Sequence, residues 1–144
     1  MARLASFTTV LTTSVLSLSI AAGLAPAMAQ SARACPHAES DQDKIALTLK
    51  AAATCKMAYD LMNACRSNTS GDVALAEIVI ERCEGGFLTG ASAAARRAYE
   101  MERQACRSRY AKSRGTMYVS FAATCEAGVA SRYASEALRR SRSR

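Results

Sequence analysis

The chain has 144 residues, a net charge of +7, six cysteines, no tryptophan and a single histidine. That length gives one domain with a modest core. The one histidine, His37, lies near the start, so the body has no base for Ser-His or Cys-His nucleophilic chemistry. With no Cys-x-x-Cys pair either, zinc is not expected, and no cofactor is expected.

Residues 1–29 read as a secretory signal peptide. A short positive start, "MAR", precedes an apolar stretch from Leu4 to about Leu24, and Ala27 and Ala29 supply small residues at the −3 and −1 positions. Cleavage is expected after Ala29. Serine and threonine within the stretch weigh against a membrane anchor, leaving no transmembrane segment in the mature form. The charge in "SARA" before Cys35 weighs against a lipoprotein. The mature 115 residues would carry +6, since only Arg3 departs. All six cysteines lie in this part, an even count that implies an oxidising compartment, periplasmic or secreted, and up to three disulfides.

After a polar lead-in, residues 42–66 show helical spacing. Ile45, Leu49, Ala52, Ala53, the Lys56 stem, Tyr59 and Met62 recur at three- and four-residue steps. "SNTSGD" breaks the pattern, and Ser70 or Asp72 can cap the next helix. That second helix, 72–84, presents Val73, Ala76, Ile80 and Cys83, widened by Leu75 and Val79. "GGFLTG" ends it.

A third helix is expected over 91–113, with Ala91, Ala95, Ala98, Ala105, Cys106 and Tyr110 facing inward. Glu102 on the same stripe is expected to pair with Arg103, Arg109 or another nearby arginine. Gly115 fits its C-terminal cap. The stretch that follows, "TMYVSF", is strand-like in composition but has no strand to pair with. An unpaired strand leaves its backbone groups unsatisfied, so a fourth helix is predicted, with Met117, Phe121, Thr124, Cys125, Gly128, Val129 and Arg132 on one face. The domain then spans 30–138, and residues 139–144 form a basic tail expected to be disordered.

The predicted fold class is all-α: a small disulfide-stapled bundle of about four helices, arranged as two antiparallel helical hairpins. Cysteines that meet across a hairpin are equidistant from its turn. Cys106 lies nine residues before Gly115 and Cys125 ten after it, each about 14 Å from the turn at 1.5 Å per residue. The midpoint of Cys55 and Cys83 falls inside "SNTSGD", and Cys65 is left for Cys35. Each bridge would contribute about 3 kcal/mol.

The basic charge is lopsided. Residues 30–95 hold six basic and eight acidic side chains, whereas residues 96–144 hold twelve and four. Export, and the lack of aromatics interleaved with the arginines, argue against nucleic acid. Glu100 and Glu102, two apart on a helix, point to different sides and make a poor glycosidase pair.

Within residues 96–139, Tyr99, Arg103, Cys106, Gly115, Cys125, Arg132 and Leu138 follow a recurring order. A helix carries an aromatic, an arginine and a cysteine; a charged loop and a glycine follow; a second cysteine comes ten residues on, with an arginine and a leucine behind it. This half of the chain resembles the LprI-like lysozyme-inhibitor family of exported bacterial proteins. The resemblance implies a non-enzymatic binding protein whose protein partner is lysozyme, whose cleft is lined with carboxylates. The loop "YAKSRGT" offers Lys112 and Arg114 at a hairpin tip, with Arg109 nearby, as partner-binding residues. The other reading is an envelope-associated protein whose basic half rests on anionic lipid or polymer.

Overall fold

The computed structural model describes residues 34–38 and 40–143. The expected signal peptide and its cleavage site lie outside the described residues. Among the described residues five helices and no strand follow in order: α1 (Gln42–Ala51), α2 (Cys55–Cys65), α3 (Gly71–Glu84), α4 (Ala93–Tyr110) and α5 (Thr116–Arg142). The strand-like stretch after Gly115 is therefore helix.

The first expected helix is two helices. Ala52 turns extended (φ −58°, ψ 134°), and the Thr54 hydroxyl accepts the Met57 N–H at 3.1 Å to start α2. A Thr side chain that bonds the backbone ahead of it competes with a continuous helix, and here the cap wins. The corner resets the helical phase. Ala58, Met62 and Cys65 become the buried face of α2, while Ala53 and Lys56 are exposed. Lys56 pairs with Asp60 instead of covering the core.

The centre of the bundle is α3. Leu75, Ala76, Val79, Ile80 and Cys83 are all buried, so it carries apolar surface on more than one side. Helices α1, α2 and α5 pack around it, and its most extensive neighbour is α5. Helix α4 differs: among the helices, its backbone lies close only to that of α5. Along α5, Ser120, Thr124, Ala127 and Ala130 are buried at helical spacing, a face of small residues that permits close approach.

Three disulfides join Cys35 to Cys65, Cys55 to Cys83 and Cys106 to Cys125, and among the described residues no cysteine is free. That usage indicates an oxidising compartment. No helix of the described residues is long and apolar enough to cross a membrane.

Three further expectations fail. The expected face of the third helix fails at Ala105, which is exposed; Cys106 is buried, Ala91, Ala95, Ala98 and Tyr110 are half-buried, and the most deeply buried residue of α4 is Tyr99, which that face omits. Bulk decides this, because one tyrosine removes far more area from water than one alanine. Met117 is 43% exposed, since the first turn of α5 projects past the bundle and Ser120 is its first buried residue. Finally, α5 runs on to Arg142 where a disordered tail is expected. Glu136 lies within 4.0 Å of both Arg132 and Arg140, and Arg139, Arg140 and Arg142 suit the negative end of the helix dipole.

Candidate functional site at the tip of the α4–α5 hairpin

At one end of the molecule α4 stops at Tyr110 and α5 begins at Thr116. Residues 111–117 between and just after them are all exposed. Gly115 sits at φ 109°, a left-handed conformation open to glycine and strained for other residues, and this sharpens the turn. Lys112 and Arg114 lie in the loop, and Arg109 lies in the last turn of α4. None of the three takes part in an ion pair among the described residues, which hold eight such contacts elsewhere. The tip therefore offers cations without ion-pair partners among the described residues.

Its base is held firmly. Cys106–Cys125 ties the two helices together. Tyr110, Tyr118 and Phe121 form an aromatic cluster with ring centroids 5.9 to 6.3 Å apart, and the Arg66 guanidinium stands 5.9 Å from the Phe121 ring. A shallow pocket of about 240 Å³ opens beside this cluster, with Tyr59, Asn63 and Thr124 in its walls. One level deeper, Asp72 is 1% exposed and accepts from the Ser67 N–H at 3.0 Å, the Ser67 hydroxyl and the Ser120 hydroxyl. That carboxylate anchors the loop before α3 and the second turn of α5 to one point.

A second polar network lies farther along α4. Arg103 donates to Glu84 and to Glu126, both at 3.0 Å, and Arg107 also donates to Glu126. Tyr99, 0% exposed, donates its hydroxyl to Glu84. Its ring meets Phe87 at 5.1 Å and Tyr133 at 5.3 Å. Burial, then the bond to Glu84, then the charge of Glu84 push the Tyr99 phenol well above the ordinary tyrosine range. Glu102 bonds Arg132 and the Tyr133 hydroxyl, so its arginine comes from α5 and not from its own helix. The Arg132 hydrogen bond holds its carboxyl below the usual range.

Each of these carboxylates accepts from an arginine, an arrangement suited to holding helices together. His37 is engaged too. Thr48 commits its hydroxyl hydrogen to the Lys44 carbonyl at 2.8 Å and thus accepts from His37 Nε2 at 2.8 Å.

Compared with family models, curated proteins and solved structures, the chain finds no match. Its function must therefore be argued from its own side chains. Of the three cations read from the sequence, all lie at this tip and all are exposed. The Glu84–Arg103–Glu126 network escapes sequence reasoning because its members are 19 and 23 residues apart on three helices. Only the i, i+4 spacing of Arg103 and Arg107 hints at a shared acidic neighbour.

Proposed function

We propose that this chain is an exported, non-enzymatic binding protein that presents the basic tip of its α4–α5 hairpin to an acidic cleft on a partner protein. Inhibition of lysozyme is the sharpest form of this reading. The observation that carries it is the trio Arg109, Lys112 and Arg114, exposed and without ion-pair partners among the described residues, in and beside a loop stapled at its base by Cys106–Cys125. A pre-ordered loop loses little conformational entropy on insertion. A glycosidase cleft carries a pair of carboxylates, and a cation seated between them would block substrate. The net positive charge repels a cationic lysozyme at long range, so association should be slow.

The deciding experiment is a lysozyme activity assay with purified mature protein, wild type against Lys112→Ala/Arg114→Ala. Inhibition by the wild type at micromolar concentration, weakened about tenfold or more in the double variant, supports the reading. Absence of inhibition by the wild type removes lysozyme as the partner.

A second reading is favoured by Arg139, Arg140 and Arg142, exposed on the last turns of α5. It is an envelope-associated protein whose basic half rests on anionic lipid or polymer. Salt separates the two readings: attraction to a surface fades between low and moderate ionic strength, whereas a cation plugged into a cleft is screened much less.

A further inference from the structure

A groove of about 1170 Å³ opens where the α1–α2 corner, the end of α3 and the stretch of α5 around residues 134–139 meet. Its volume is on the scale of small-molecule sites. The apolar part of its wall is Ala53, Ile78, Ala134 and Leu138, and Leu138 is left 54% exposed. The charged part is unbalanced, with Lys50, Lys56, Arg82 and Arg139 set against Glu81 alone. Of these four cations, only Lys56 has an ion-pair partner among the described residues, the exposed Asp60.

Arg82 is the informative member. Its Nη1 donates to the Lys50 carbonyl at 3.0 Å and so satisfies an orphan acceptor at the end of α1. Its Nε is buried and has no acceptor. Nε is thereby closed to a ligand, so an anion in the groove would be met by the exposed ammonium of Lys50 and guanidinium of Arg139, with the Arg82 charge beside them. Cations without ion-pair partners among the described residues, set beside an apolar strip, suit a ligand with an anionic head and an apolar body.

We infer that this groove binds a free long-chain carboxylate, with its head between Lys50 and Arg139, beside the Arg82 charge, and its chain along Ile78, Ala134 and Leu138. The concave wall, built from four helices, excludes a flat bilayer face. The wall also has no aromatic or methionine pocket to seat the bulky anchors of a partner helix. The site is separate from the hairpin tip and does not depend on what the tip binds.

The test is a titration of the purified chain with hexadecanoate below its micellar concentration, followed by native mass spectrometry and by displacement of a fluorescent fatty-acid analogue. Saturable binding of one molecule per chain is expected, with methyl hexadecanoate at least about tenfold weaker because it lacks the charge. Shortening the chain should weaken binding by up to about fourfold per methylene lost. Leu138→Glu and Arg139→Glu alter exposed positions that the fold does not need, and each should weaken hexadecanoate about tenfold or more. Lys112→Glu/Arg114→Glu should leave it unchanged. The assignment is overturned if the wild type shows no saturable uptake, if both groove variants bind like wild type, or if an acidic amphipathic peptide occupies the groove while hexadecanoate does not.

Discussion

The Tyr99 hydroxyl donates to Glu84 Oε1 across 2.6 Å and joins α4 to the end of α3, two helices with no close backbone contact. Apart from α5, α4 is thus held by side-chain reach: this bond, the Arg103–Glu84 pair and the Phe87–Tyr99 edge contact. Tyr99→Phe keeps the ring and removes the hydroxyl. Glu84 retains Arg103, so the expected loss is about 1 kcal/mol. The shift of the urea midpoint at unchanged slope measures it.

The same residue sets a pH dependence at the alkaline end. The Tyr99 phenol is raised in the folded protein by burial, by its bond to Glu84 and by the charge of Glu84. Above about pH 10 an unfolded tyrosine releases its proton while folded Tyr99 keeps it. The contribution is therefore complete below about pH 10 and is lost as pH rises through the folded value. Unfolding free energy should fall more steeply between about pH 10 and 12 for wild type than for Tyr99→Phe. Equal slopes in denaturant titrations across that range would contradict the assignment.

Asp72 offers a sharper loss. Its carboxylate satisfies the Ser67 N–H and the Ser120 hydroxyl from inside the bundle, and it sits in the first turn of α3, where the helix dipole favours negative charge. Asp72→Ala strands the buried Ser120 hydroxyl and frees the half-buried Ser67 N–H, and a cost of about 2 to 3 kcal/mol is expected. Adding Ser120→Ala removes the stranded hydroxyl. The double variant should therefore lose less than the sum of the single variants, a coupling that a double-mutant cycle reads directly.

How much of this was legible in the sequence differs by residue. Helical spacing carries the all-α class, and Gly115 with its flanking cysteines carries the Cys106–Cys125 bridge, because equal distance from a turn is a one-dimensional fact. The corner at Ala52–Thr54 contains neither glycine nor proline, so no breaker residue marks it. Its one local signal is Thr54, whose hydroxyl caps α2. Tyr99 was hidden behind the alanines because spacing ranks positions and ignores size. The lining of the groove was beyond reach: Lys50, Lys56, Arg82 and Arg139 come from separate segments, and only packing assembles them.

Gly115 tests the tip without touching its charges. At φ 109° a Cβ is strained even though nothing crowds it, so Gly115→Ala should cost about 1 to 2 kcal/mol. The strain can be relieved only by re-forming the loop that carries Lys112 and Arg114. Partner binding through the tip should then weaken along with stability, whereas Lys112→Ala/Arg114→Ala should weaken binding with stability changed by less than about 0.5 kcal/mol.

The Cys106–Cys125 bridge is the last element to isolate. Because α4 leans on α5 alone among the helix backbones, this bond is the covalent tie added to their side-chain contacts. Replacing both cysteines by serine frees a loop with a sequence separation of 19 and should cost about 3 kcal/mol. The loss should not be uniform. Amide exchange should accelerate first along α4, while α1, α2 and α3, clamped by Cys35–Cys65 and Cys55–Cys83, keep their protection longer. Uniform acceleration across all five helices would show instead that α4 and the remaining bundle unfold as one unit. The tip would then owe its order to the whole fold and not to this bond.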